Sequence, residues 1–407
     1  MENSLFLGLS DVVASIRPPS SSTDNSPVEV TNLKALGSYN WLEDQAPTIA
    51  IPGRPPVWKE QPMPIHLKEN LGKPFFDEGI ARKCGYPLEP DLLAIEVSQG
   101  ADPNFKLSEE MIDIVTNRNN LRKLIDFANS GTTNRGKHRA DHFRIDAQLA
   151  PNGRTMVLTR YETQASCRQQ NEQFIGFDHI FERMCTEELP TIHAANSDGR
   201  TTYLRPVGYH RIVRYDLLGM RFLVRSRVDA MLSGPSKPHA ERSTEIDIND
   251  LSRALEQATL ESGSATLPQL QATGVQYVNF GELVPQDLFM DIKLAHKGNV
   301  NWGNVYPQYF LSQTPNLKVA TRTAVQRKNF VTQLDTYDQN SLKTEHEKQS
   351  QQFQSLVAVL KEMRRTLQTY GSSSQPLAFV WLQKGDMKAY RIQEKGEYLS
   401  DEGLEKF

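Results

Sequence analysis

Two apolar runs, each with an acid near its end, constrain this chain most. One is Arg221–Ala230 (RFLVRSRVDA) with Asp229; the other is Leu283–Lys293 (LVPQDLFMDIK) with Asp291. Both read as buried strands. Side chains alternate along a strand with period two, so Asp291 and Lys293 point to the same face. Two separated acids and an acid-x-Lys pair make the constellation of a magnesium-dependent phosphodiesterase. The carboxylates would hold Mg²⁺, or Mn²⁺ in its place, and the lysine would place or activate the attacking water. A D-x-K triplet alone is a weak signal, because exposed strands contain one by chance. The bland alternative is a buried Asp291–Lys293 ion pair with no chemistry.

The surroundings call for a mixed architecture. His142–Leu149 alternates, Pro151–Gly153 turns, and Thr155–Tyr161 returns, which is a hairpin pattern. A second hairpin is expected from Tyr209–Asp216, the turn Leu217–Gly219 and Met220–Leu232, and a third from Leu377–Leu382 and Met387–Ile392. Apolar spacing predicts one helix over Ser108–Phe127, one around Gln173–Cys185 carrying Glu182, and a long one from Leu342 to Thr369 stopped by Gly371. His179 reads as structural, since no second His or Cys stands at metal spacing. Val305–Pro315 begins a helical or irregular segment, and Lys318–Leu334 reads as strand and loop. The fold class is therefore α/β, in its α+β form: a mixed central sheet with antiparallel hairpins flanked by helices.

The expected organisation is one domain over residues 36–395. A disordered Ser/Pro-rich tail, 1–35, precedes it and a short tail, 396–407, follows. Leu5–Val13 reads as a frayed terminus, with a docking helix as the alternative. Prolines make residues 37–90 an extended strap pinned by aromatics, with base stacking by Trp41 or Trp58 as the functional alternative. Residues 233–275 are polar and read as a mobile excursion between the two acid-bearing strands.

Composition removes several function classes. The formal net charge is −3, so any nucleic-acid contact must come from a local groove rather than a global positive field. No apolar run approaches the roughly 18 residues that span a bilayer, and the N-terminal residues lack the basic start of a signal peptide. Cys84, Cys167 and Cys185 form no Cys-x-x-Cys pair, so neither a zinc knuckle nor a disulfide framework is indicated. A reducing compartment, cytoplasmic or nuclear, is the expectation.

Further stretches carry a resemblance. Gly37–Leu42 (GSYNWL), Ile51–Trp58 (IPGRPPVW), Tyr86–Pro90 (YPLEP), Asn120–Leu124 (NLRKL), Arg211–Asp216 (RIVRYD) and Ser312–Asn316 (SQTPN) resemble a family of filamentous-fungal proteins, over residues 37 to 370. Many of its members carry the inherited name geranylgeranyl pyrophosphate synthetase. That family is in turn remotely similar to the eukaryotic decapping exonucleases, whose core is the PD-(D/E)XK nuclease fold. The resemblance implies a site. Arg118 and Lys123 match an early-helix Arg and Lys, here given a nucleic-acid-binding role. Glu182 follows a Gly-aromatic pair and, with Asp229 and Asp291, would be a metal ligand. Asp291 and Lys293 match the catalytic acid and lysine. Two departures stand out: Arg227 replaces the glutamate expected two residues before Asp229, and Asp291 replaces a glutamate.

The prenyl-synthase name does not suit the residues. That chemistry needs paired Asp-rich helical motifs in an all-helical bundle, whereas the nearest stretch, Asp335–Asp338 (DTYD), lacks the adjacent acid pair and the hairpins contradict the bundle. The functional expectation is a nuclease-fold protein acting on or binding nucleic acid, RNA ends first. The alternatives are a binding module on a degenerate nuclease scaffold and a protein-interaction scaffold built on the long helix and the N-terminal tail.

Overall fold

The computed structural model describes residues 2–20, 26–44, 46–68, 86–100, 102–131, 141–161, 176–195, 201–233, 264–265, 269–270, 274–326, 328–393 and 399–407. In chain order the strands are β1 (Leu9–Ile16), β2 (Val30–Glu43), β3 (Thr48–Gly53), β4 (Ile65–Leu67), β5 (Ile114–Asn117), β6 (Phe143–Leu149), β7 (Met156–Arg160), β8 (Ile192–Ala195), β9 (Thr201–Leu217) and β10 (Met220–Val228). After these come β11 (Ala230–Met231), β12 (Ser264–Ala265), β13 (Gln269–Leu270), β14 (Gln276–Gly281), β15 (Phe289–His296), β16 (Asn316–Val325), β17 (Lys328–Tyr337), β18 (Leu377–Trp381) and β19 (Met387–Ile392). The α-helices are α1 (Glu89–Gln99), α2 (Arg118–Ala128), α3 (Phe177–Met184), α4 (Trp302–Ser312), α5 (Lys343–Tyr370) and α6 (Asp401–Glu405).

Among the described residues, fourteen strands form one mixed sheet and five form a second. The main path of the large sheet is β1-β19-β18-β6-β7-β5-β10-β9-β2-β3-β14-β13, and the small sheet runs β11-β15-β16-β17-β4. The centre of the large sheet is the β9–β10 hairpin. Its two-residue turn needs a positive φ at both central positions; Leu218 (φ 49°) and Gly219 (φ 75°) provide it. Helices α2, α4 and α5 cover one face, with Leu124, Phe127, Tyr309, Phe353, Leu360 and Leu367 packed on Ile145, Tyr215 and Phe222. The long helix and all three hairpins lie where periodicity places them. No described helix is long and apolar enough to cross a membrane.

Several expectations need correction. The tail expected to be disordered carries β1, paired antiparallel with β19, and Ile16 and Val28 enter the core. Low apolar content misleads here because an edge strand needs only one partner's backbone and a few anchors. Residues 37–90 are no strap in their first part. Strand β2 lies inside the sheet between β9 and β3, and Trp41 is fully buried, which removes it from base stacking. Trp58 is also buried, with Lys318 Nζ 4.9 Å from its ring centre. Residues 69–85, and nearly all of the 233–275 excursion, lie outside the described residues. The helix expected over Ser108–Phe127 divides into a 3₁₀ turn, β5 and α2. Ile114 and Val115 belong to a parallel strand between β10 and β7, where an apolar pair fits as well as on a helix. Asn117 then starts α2, its side chain accepting from the Asn120 amide at 2.9 Å. The C-terminal segment is also built in: α6 is capped by Ser400, and Leu404 packs with Leu92.

Candidate functional site

Chain geometry delivers the two acids to the seam between the sheets. Strand β10 ends at Val228 in the large sheet, and β11 begins at Ala230 in the small one. Asp229 is the residue at the crossing. Its Oδ2 accepts the Ile292 amide of β15 at 2.9 Å, which ties the end of one sheet to the middle strand region of the other. Strand β15 runs parallel to β16 and carries Asp291 and Lys293. Helix α2 begins at the carboxyl end of β5 and brings Arg118, its first residue, to the same place. Helix α3 brings Glu182.

These residues form one chain of alternating charge. Arg118 Nη1 donates to Asp291 Oδ2 at 2.9 Å. Lys293 Nζ lies 3.6 Å from Asp229 Oδ2. Arg227 Nη1 donates to Asp229 Oδ1 at 3.2 Å, and Arg227 Nη2 pairs with Glu182 Oε1. Ser312, at the end of α4, holds its hydroxyl 3.5 Å from Asp291 Oδ2, and His179 Nδ1 lies 3.6 Å from Glu182 Oε2. The structure thus brings Arg118, Glu182, Asp229, Asp291 and Lys293 into one cluster. Lys123 belongs to the same helix as Arg118 but is buried. Sequence reading missed Ser312 as a neighbour of Asp291. The only signal for it was its place in the Ser312–Asn316 motif.

The two aspartates respond to burial differently. At Asp291, loss of solvent pushes the carboxyl above its usual range, and Arg118 and Lys293 only partly offset this. At Asp229, burial pushes the same way, but Lys293, Arg227 and the Ile292 amide outweigh it and hold the carboxyl below its usual range. Burial works against the Arg227 charge, yet Glu182 and Asp229 more than compensate and raise its pKa.

The donor set does not fit the expected Mg²⁺ centre. Among the described residues, no three His, Cys, Asp or Glu side chains are placed to share a metal ion. The three-acid set of Asp229, Asp291 and Glu182 does not form because the Arg227 guanidinium stands between Glu182 and Asp229 and binds both. Three carboxylates already face three cations, so a divalent ion would find no uncompensated negative charge, on which its affinity depends.

Comparisons with known proteins agree with this architecture. A family model described as a domain of unknown function (DUF8563) matches residues 10–388. No curated protein matches the chain. Among solved structures, Rai1 of S. pombe is similar with a TM-score of 0.53 at 10% identity, over 93% of this chain and 99% of that one. Rai1 of Candida albicans, solved in complex with pU5-Mn2+, has a TM-score of 0.53 at 9% identity, over 97% and 98%. Rai1 of Scheffersomyces stipitis has a TM-score of 0.52 at 11% identity, over 98% of both chains. At such identities the likeness shows the fold: a large mixed sheet flanked by helices.

Proposed function

Because the chain belongs to the family described as a domain of unknown function (DUF8563), we infer its function from the paired charges at the sheet seam. The protein is a nuclease-fold binder of nucleic acid, with RNA ends as the leading substrate class, that holds its ligand without a catalytic metal. The scaffold reading is the PD-(D/E)XK nuclease core, supported by the placement of Asp229 between β10 and β11 beside Asp291-x-Lys293 on β15 and by the Rai1-like fold.

One observation carries this reading. The carboxylates of the cluster are buried deeper than their cations. Asp291, Asp229 and Glu182 side chains are 0%, 7% and 13% exposed, whereas Arg118, Arg227 and Lys293 are 15%, 23% and 24% exposed. The charge presented outward is therefore positive, although the cluster is balanced overall. Such a surface suits phosphate oxygens, which position a nucleic acid without reading its sequence. Where a nuclease would use Mg²⁺ to draw acids and phosphates together, Arg227 serves the acids and the exposed edges of the three cations are left for the phosphates.

The test is fluorescence anisotropy of the full chain with single-stranded RNA, in EDTA and in Mg²⁺ or Mn²⁺, alongside product analysis on a gel. The expected result is binding unaffected by EDTA, with no cleavage. Each neutralised phosphate contributes about −0.7 to the log–log salt slope for single strands, so three contacts give a slope near −2. Metal-dependent cleavage would restore the hydrolase reading, and no binding at low salt would remove nucleic acid altogether.

A further inference from the structure

A second cationic position adjoins the acid cluster, its residue Ser226 directly preceding Arg227 and its residue Phe289 two places before Asp291. Arg211, on β9, is 6% exposed, and its Nε and Nη1 are buried without a hydrogen-bond partner among the described residues. None of the described carboxylates forms an ion pair with it. Its guanidinium lies 4.1 Å from the centre of the Phe289 ring, which is itself stacked against Tyr209. Burial lowers the Arg211 pKa to about 10, so the group is still charged at neutral pH. A buried charge with no partner is costly, and proteins keep such groups paired or use them.

Its neighbours point to an anion. Ser226 on β10 is the register partner of Arg211, so both side chains leave the same face of the sheet, with Cβ atoms about 4.5–5.5 Å apart in such pairs. Ser226 is 3% exposed, and its hydroxyl is also buried without a partner. Ser38 is the register partner on the other side, but its hydroxyl already donates to the Pro52 carbonyl at 2.8 Å. A forked cation and one hydroxyl donor are therefore preorganised and unspent. Phe289 packs against the guanidinium and lies on the same face of β15 as Asp291. The small apolar cluster around Phe289 is closed by Val284, half-buried, beside Leu283, which is 55% exposed. The position thus lies close to the surface without being open to it.

We propose that Arg211 and Ser226 form a binding site for a terminal phosphoryl group. Arg donates in a planar fork matched to phosphate oxygens, and Ser226 supplies a third donor. A terminal rather than an internal phosphate follows from the burial: an internal phosphodiester needs room for the chain to enter and to leave, whereas a terminal group needs only one path. The proposal rests on the nucleic-acid reading above. Free phosphate and the phosphorylated end of a strand share this chemistry.

The test uses the full chain and four probes of one RNA sequence and its parts: a 5′-phosphorylated strand, a 3′-phosphorylated strand, a strand with hydroxyl ends, and inorganic phosphate. A phosphorylated strand is expected to bind at least tenfold tighter than the hydroxyl-ended strand, and the preferred end identifies the polarity. Arg211→Met and Ser226→Ala should each erase that preference while leaving hydroxyl-ended binding within about twofold. Inorganic phosphate should compete with the phosphorylated strand only. If Arg211→Met does not fold, Ser226→Ala and the wild-type preference decide the question. Equal binding of all strands by the wild type, with neither variant changing it, overturns this site but leaves the binding reading standing. Failure of the hydroxyl-ended strand to bind at low salt overturns the binding reading. Saturable binding of phosphate alone assigns the site to a free small phosphate and overturns the strand-end form.

Discussion

Two buried Arg–Asp pairs in this molecule have opposite characters. On β6, Arg144 and Asp146 meet through Nε to Oδ1 at 2.7 Å and Nη2 to Oδ2 at 2.9 Å. The remaining Nη1 donates to the Leu5 and Leu7 carbonyls at 3.2 and 2.7 Å, and the guanidinium lies 3.8 Å from the Tyr161 ring centre. The pair ties the N-terminal residues to the sheet, and every nitrogen of its fork makes a hydrogen bond. At the seam, Asp291 receives one charge-assisted bond from Arg118, a long contact from Ser312, and nothing at Oδ1, which is buried without a partner. A pair that exists for stability uses up its hydrogen bonds. A pair that retains capacity indicates a position shaped for something other than stability.

The largest expected effect comes from breaking the saturated pair. Asp146→Ala leaves the Arg144 charge buried, and removing one member of such a pair costs about 3–5 kcal/mol. Urea denaturation reads the loss, and RNA affinity of the folded fraction should be unchanged. A loss below about 1 kcal/mol, the scale of an exposed pair, would erase the distinction between the two regions.

The next effect concerns what fills the seam. Arg227→Glu removes the guanidinium between Glu182 and Asp229 and places a carboxylate there instead. In EDTA the variant should be less stable than wild type, because four acids then face two cations. Mn²⁺ should reverse this. At a metal concentration one hundred times Kd, binding to the folded state alone adds about 2.7 kcal/mol, visible as a rise in Tm that the wild type does not show. Equal response of both proteins to Mn²⁺ would mean that Arg227 is not what keeps the metal out.

Legibility in the sequence follows the range of the interactions. The hairpins and α5 were readable because period two and period 3.6 are local signals. Strand alternation likewise put Asp291 and Lys293 on one face, whereas Asp229 was joined to them only through the family resemblance. Strand β5 was not readable: four residues, Ile114–Asn117, sit within a helical apolar pattern, and only pairing with β10 and β7 makes them a strand. Strand β1 was hidden in the same way, its pairing partner lying more than 370 residues downstream. Arg227 was visible as a departure from a pattern, but not as a bridge. Whether a cation beside an acid pair repels a metal or replaces it depends on where Glu182 arrives, and α3 is placed by packing against β15 and β4 rather than by any local motif.

The smallest effect sets the two seam aspartates against each other through pH. Asp229 has a folded-state pKa below its unfolded value of about 3.9, so its contribution to stability is complete above that pH and is lost as pH falls through the folded value. Asp291 has a folded-state pKa above its unfolded value. Between those two values the folded protein holds a proton that the unfolded chain has released, so stability falls as pH rises through that window and stays lower above it. Where both are ionised, the charge on Asp229 supports the fold and the charge on Asp291 works against it. Asp229→Asn should therefore cost more than Asp291→Asn at pH 7, by about 1.4 kcal/mol for each unit by which the two shifts differ. The difference should shrink as pH falls below about 3.9, where the unfolded chain takes up a proton that the folded Asp229 still refuses, and Asp291→Asn should lose less stability than wild type as pH rises above that value. Urea denaturation at about pH 7, 5 and 3 measures all three terms. A larger cost for Asp291→Asn at pH 7 would show that the Arg118 bond outweighs burial at Asp291, and that the seam pair is as structural as the one on β6.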